Sequence, residues 1–393
     1  MPAVSRERFL RWFAQLADIG RTDTGWNRLA WTPLEVEAQE WFRGAAESIG
    51  LEVRRDGAGS LWAVTPGAGD GPYVCAGSHV DTQPDGGAYD GALGVVCALE
   101  AVAAVLESGQ PRSRPLAVIS FVDEEGARFR TACFASRAIA GELDVDAALG
   151  AMGEAPKIHG VTRESLLASR EELRRVGAFL EVHVEQGKAL VDRGQALGIA
   201  DVLAPRSRYR AGFEGESNHA GTTPMAGRRD ALVEAARFIL AVDEAARARP
   251  GAVATVGRIE VSPGSTNSIP GRVECTLDAR APEVETVEDL VAGLRRGFPD
   301  ARIEQESRNT GARFDPGLRA ALYASAESAG VPAGDLPSFA GHDAGILAPH
   351  VPAAMIFVRN PTGASHTPAE FASDDDCVAA AQVMAGALAE LAR

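Results

Sequence analysis

Between residues 73 and 141 the chain alternates strand-length apolar runs with helical patterns, and this alternation limits the fold more than any other feature. Runs at 73–78 and 116–122 read as strands, 92–108 and 131–141 as helices, and 178–184 repeats the strand pattern. Apolar strands joined through helices build a largely parallel sheet, so the expected fold class is α/β. Loops that follow such strands gather at the carboxyl edge of the sheet, where sites form.

The strands end in unusual company. His79 and Asp81 follow the first, and Asp90 opens the helix after it, within Gly77–Gly94 (GSHVDTQPDGGAYDGALG). Glu124 and Glu125 follow the second. His183 and Glu185 end the third, and His366 lies beyond a further run at 353–358. One histidine at a strand end is ordinary; metal-ligand residue types at several neighbouring strand ends point to a shared centre. Mixed imidazole and carboxylate ligation suits Zn²⁺, Mn²⁺, Co²⁺ or Ni²⁺, and no cysteine stands among these residues to suggest a thiolate zinc site. Two ions bridged by one carboxylate activate water and polarise a carbonyl together. Adjacent glutamates allow one to ligate while the other moves a proton. Asp81, two residues from His79, is placed to orient its imidazole. The glycines form turns; neither G-x-G-x-x-G nor G-x-x-x-x-G-K-[ST] occurs, so this is no phosphate loop.

The rest of the chain frames this centre. A helix is expected over Arg6–Ala17. Thr32, Pro33 and Glu35 read as a capping box opening a second helix that ends at Gly50. Residues 51–55 and 61–64 form a hairpin pattern. From Tyr209 the style changes: strand 209–216, helix 228–248, strands 253–261 and 272–279, helix 285–297 and strand 301–306 make an α+β unit with its own core pattern. The chain then returns with helix 316–329, strand 353–358 and helix 374–391. The expected organisation is a discontinuous domain, 1–208 with 315–393, and an inserted domain, 209–314. A chain of 393 residues exceeds most single cores.

Composition narrows the partners. A formal charge of −15 argues against nucleic acid and anionic membranes. No segment reaches the ~18 apolar residues of a span, and the amphipathic N-terminus has no signal-peptide core. Five scattered cysteines without a C-x-x-C pair suggest a reducing, cytoplasmic setting.

Seven motifs then occur in order: GSHVDTQPDGGAYDGALGV, DEEGARF, HVEQG, NHAGTTPM with RRDA, NSIPG with LDAR, GHDAG and SHTPAE. Together they resemble the hydantoinase/carbamoylase family of amidohydrolases, from about residue 73 onwards. That family includes N-carbamoyl-L-amino-acid hydrolases, allantoate amidohydrolases and β-ureidopropionase, within the aminoacylase and metallopeptidase superfamily. The resemblance implies two divalent ions per subunit. His79 and His183 would bind the first, Glu125 and His366 the second, and Asp90 would bridge them. Glu124 would be the general base. The inserted domain would be a lid and dimerisation domain, with His219 supplied by the partner subunit to stabilise an oxyanion. Gln186 and Asn267 would contact the substrate, and Arg280 would grip its carboxylate with a bidentate fork. His342 would order the surrounding loop.

The substrate implied is a small ureido compound bearing a carboxylate. An N-carbamoyl-L-amino acid is the first expectation, with the Gln83–Pro84 pair leaning that way, and allantoate is the alternative. Acyl-amino-acid or dipeptide hydrolysis is less expected, because His183 stands where those relatives place an acidic ligand. A non-catalytic binder of small molecules is the rival from another class. Lys188 after HVEQG, the charged stretch 201–217, and Ala135–Ser136 after DEEGARF depart from the family pattern and bear on substrate choice.

Overall fold

A computed structural model describes residues 1–393. Its strands, in chain order, are β1 (Glu52–Arg55), β2 (Leu61–Val64), β3 (Tyr73–His79), β4 (Leu116–Phe121), β5 (Val176–Val184), β6 (Leu197–Leu203), β7 (Arg206–Glu214), β8 (Val253–Ser262), β9 (Arg272–Arg280), β10 (Arg302–Asn309), β11 (Ala312–Arg313), β12 (Ala333–Ser338) and β13 (Ala353–Val358). The α-helices are α1 (Arg6–Asp18), α2 (Pro33–Ser48), α3 (Ala92–Glu107), α4 (Phe134–Ala140), α5 (Val145–Met152), α6 (Arg163–Ala168), α7 (Ala189–Arg193), α8 (Ala231–Arg247), α9 (Val284–Gly297), α10 (Pro316–Ala329), α11 (Asp343–Leu347) and α12 (Asp374–Leu391).

The chain divides into two compact units. The first is Met1–Asp201, Arg313–Leu336 and Ala340–Arg393; the second is Val202–Ala312 with Pro337–Phe339. The insertion thus starts before Tyr209, because β7 already begins at Arg206.

The first unit is built on a mixed, mostly parallel sheet of nine strands, ordered β1-β2-β4-β3-β5-β13-β6-β11, with β12 pairing to β6. Its centre, β4-β3-β5-β13, is parallel, flanked by antiparallel β2 and β6. The α/β class is as expected. Strand periodicity decides what faces the site. Val74, Ala76, Val118, Leu180, Val182, Val184 and Ile356 join one core with residues of α1, α3, α10 and α12. Because successive side chains alternate, Glu181 and His183 must point to the opposite face of β5. The helix behind the metal loop, α3, is apolar on all sides and buried from Ala92 to Val105, as such a helix must be. Its one buried charge, Glu100, pairs with Arg8 at 2.6 Å and accepts the Ser5 N–H at 2.6 Å.

The second unit has an antiparallel sheet ordered β10-β7-β9-β8. Phe213, Phe238, Leu277, Val291 and Leu294 form its core with α8 and α9. On β7, Tyr209, Ala211 and Phe213 are buried, whereas Arg208 and Arg210 point outward to Asp278 and Glu306. One face is packed and the other solvated.

Two local expectations change. The capping box at Thr32 does not form: Thr32 Oγ1 donates instead to Leu29 O, and Glu35 is buried against His159. The helix expected from 131 starts at Phe134, because residues 126–133 double back so that Cys133 N and Phe134 N donate to Glu124 O and Asp123 O. The short elements α5, α6, α7, α11, β6, β11 and β12 lie in stretches with little apolar periodicity.

Candidate metal centre

Two triads meet at Asp90. His79, Asp90 and His183 form one, and Asp90, Glu125 and His366 the other; in each, the ligand atoms lie within 4.8 Å of one another. Asp90 Oδ1 is 3.4 Å from His79 Nε2 and 3.0 Å from His183 Nε2. Asp90 Oδ2 is 3.5 Å from His366 Nε2, which lies 3.6 Å from Glu125 Oε2. Each oxygen of one carboxylate therefore faces a different set of ligands. His79 Nδ1 meets Asp81 O at 3.0 Å and His183 Nδ1 meets Val184 O at 2.9 Å. A ring that donates from Nδ1 to a carbonyl presents the Nε2 lone pair, the state a metal needs. His79 Nε2 and Glu125 Oε1 are buried without a hydrogen-bond partner. Donor chemistry, spacing and orphaned atoms all fit divalent ions.

Neighbouring groups hold this array. Asp81 accepts the N–H of Glu124 at 3.3 Å and of Glu125 at 3.2 Å, so one carboxylate fixes both glutamates. Glu370, the last residue of SHTPAE, accepts the N–H groups of Tyr89 (3.0 Å) and Asp90 (2.8 Å). A side chain at Gly87 would collide with Glu370. At Gly91, where φ is +63°, a Cβ would lie 2.3 Å from the His79 ring, so only glycine lets Asp90 and His79 converge. Glu124 Oε2 is 3.7 Å from His79 Nε2, and Glu124 Oε1 accepts from the buried Cys133 thiol at 3.1 Å. Glu124 belongs to neither triad. His342 is buried with its ring 4.4 Å from that of His183. Gln186 Nε2 donates to Asp90 Oδ2 at 3.1 Å. Glu185, another strand-end acid, lies outside the centre: it accepts the N–H groups of Ala189 and Leu190 at the start of α7.

The electrostatics match crowded, buried acids. Burial, opposed by His79 and reinforced by Asp343 and Glu125, holds the Glu124 carboxyl well above the usual range. Burial, then Asp90, pushes Glu125 up to about 7. Burial pulls His183 down, but Asp90 and Glu181 together outweigh it and raise the ring to about 9. Burial, then His183, drives His342 well below its ordinary value, so that ring is neutral. Glu370 and Cys133 escaped sequence reasoning. Glu370 ends the motif that holds His366, with no spacing that ties it to Asp90, and nothing local marks Cys133.

The remaining sequence-marked residues lie in the second unit. His219 and Asn267 come from segments joined by the His219–Ser268 bridge and by Ala220 N donating to Asn267 O at 2.8 Å. Both side chains are exposed. His219 Nδ1 accepts from Gly221 N and Thr222 N, each at 3.2 Å. The proton of the neutral ring is thereby assigned to Nε2, leaving a donor. Arg280 is already engaged: its Nε donates to Asp278 Oδ1 at 2.7 Å, and Nη1 donates to Phe339 O.

A family model described as peptidase family M20/M25/M40 matches residues 75–390. This chain belongs to that family. Its members are metal-dependent hydrolases, and this chain is a hydrolase. The N-carbamoyl-L-amino acid amidohydrolase of Geobacillus stearothermophilus is 35% identical, with 99% of each chain covered. The allantoate amidohydrolase of Bacillus subtilis is 32% identical over 93% of this chain and 92% of its own. Among solved structures, a hydantoinase/carbamoylase family amidase from Burkholderia multivorans superposes with a TM-score of 0.87 at 32% identity, covering 100% of this chain and 98% of that one. The resemblance drawn from the motifs holds across the whole M20 chain. No helix is long and apolar enough to cross a membrane, and all five cysteines are free.

Proposed function

We propose that the chain hydrolyses the ureido C–N bond of an N-carbamoyl-L-amino acid, with water, to the amino acid, ammonia and carbon dioxide. The observation that carries the reading is the Asp90 carboxylate, whose two oxygens face two ligand sets while Glu124 stands beside His79 and in neither set. His79, Asp90 and His183 would hold one ion, and Asp90, Glu125 and His366 the other, as Zn²⁺, Mn²⁺, Co²⁺ or Ni²⁺. When bound, such ions supply Lewis acidity and lower the pKa of water.

The chain's own residues do the rest. Glu124 takes a proton from water at Oε2, since Oε1 is occupied by the Cys133 thiol, and returns it to the leaving nitrogen. His219 donates from Nε2 to the oxyanion. Arg280 binds the substrate carboxylate and Asn267 and Gln186 orient the ureido group; for Arg280 this requires sharing the fork with Asp278. Asp81 and His342 support the ligands from behind.

The working assembly we propose is a homodimer joined through the second unit. Strand β8 is an edge strand, and Val253, Ile259, Val233 and Leu240 leave apolar surface exposed on β8 and α8. Allantoate is the second reading, favoured by the near-full-length similarity to allantoate amidohydrolases. Ammonia release from carbamoyl amino acids and from allantoate, set against free amino acid release from acyl amino acids, each with the four metals supplied in turn, separates the readings. Faster turnover of acyl amino acids, without ammonia from either ureido substrate, would overturn both.

A further inference from the structure

The two triads share Asp90 and differ in everything else. His79 and His183 are buried at strand ends, with Nδ1 locked on backbone carbonyls. His366 sits in a loop at φ 57°, and its side chain is 45% exposed. Glu125 Oε1 has no hydrogen-bond partner. Glu125 Oε2 has Gln83: the amide Nε2 donates to it at 2.9 Å and lies 3.3 Å from Glu125 O. One amide thus grips the carboxylate and the backbone of the same residue. The oxygen it holds is the one facing His366.

Gln83 can act as a fixed point because the loop before it is pinned. Arg28 is fully buried and donates from Nε to Val80 O at 2.9 Å. Its backbone N donates to Thr82 Oγ1 at 3.0 Å, and Thr82 N donates to Arg28 O at 3.1 Å. The loop bearing His79, Asp81 and Gln83 is therefore tied to the chain that follows α1. Gln186 also donates into the centre, but to Asp90, which serves both triads. Glu125 serves only the second.

We propose that Gln83 is a positioning residue that sets the metal affinity of the second half-site independently of the first. It aims the Glu125 carboxylate at the space between His366 and Asp90 Oδ2, so that the torsional freedom of a long side chain is already restricted before an ion arrives. The proposal rests on the two-metal reading above.

The test is calorimetric titration of Zn²⁺ and of Mn²⁺ into the chelator-stripped full chain, for the natural protein, Gln83→Met and Gln83→Ala. Methionine keeps the length and lacks the N–H donor. Two classes of site are expected in the natural protein. In both variants one class weakens by about 10–100-fold, the usual effect of losing a partner behind a ligand, and the other stays put. Thermal unfolding in chelator stays unchanged. Two unaltered classes in the variants overturn the proposal. So does a parallel loss of both classes, or a lower melting temperature in chelator, since either assigns Gln83 a general structural role. A single class in the natural protein instead overturns the two-metal reading, and the proposal with it, and that failure is visible before any substitution is made.

Discussion

The metal centre of the first unit and the substrate-handling residues proposed in the second differ in how much structure each already has. His79, Asp90 and His183 are buried; the two histidines end parallel strands with Nδ1 held by backbone carbonyls, and Asp90 stands in the turn before α3. His219 and Asn267 are exposed on short segments, and the Arg280 fork is spent on Asp278. The ligands of the first triad are fixed inside a core, where a small displacement is costly; His219 and Asn267, proposed for recognition, sit where side chains can still adjust.

The sharpest break of that comparison lies in the first unit. Glu124→Gln removes the proton carrier and no ligand. Turnover should fall by about 10²–10⁴-fold while bound metal stays the same. A rate near that of the natural protein would remove Glu124 from the mechanism.

In the second unit the informative change is Arg280→Lys, which keeps the charge and loses the fork. If Arg280 binds the substrate carboxylate, KM should rise about tenfold or more with kcat nearly kept, the effect of weakening a charged hydrogen-bonded pair. If it serves only Asp278, the melting temperature will fall and KM will stay.

The most gradual effect is in pH. Glu125, raised to about 7, and His183, raised to about 9, must both shed protons to ligate. Raised values mean protons compete with metal at the acid side. Affinity should therefore climb as pH rises from about 6 towards 9, by up to about tenfold per pH unit for each proton displaced, with protons released on binding. Equal affinities at both ends of that range would contradict the assigned proton-bound state.

Much of this was legible in the chain. Strands β3, β4, β5 and β13 are apolar runs, α3 is apolar throughout, and the ligand types stand at strand ends in sequence order. Legibility failed where a partner lies far away. Thr32, Pro33 and Glu35 have the spacing of a capping box, yet Glu35 is taken by His159, 124 positions on. Glu185 stands at a strand end like His183, yet its carboxylate turns back on α7. Local spacing cannot register a competing bond made across the fold.

By itself the sequence determined the α/β class and the residue types offered at each strand end, because periodicity and spacing are local properties. Only the tertiary structure decided that Asp90 turns one oxygen to His79 and His183 and the other to His366, and that Gln83 holds Glu125. It also decided that Glu370, 280 positions from Asp90, secures the backbone of the bridging residue. Those choices depend on atoms that meet only when distant strands are brought to one edge of one sheet.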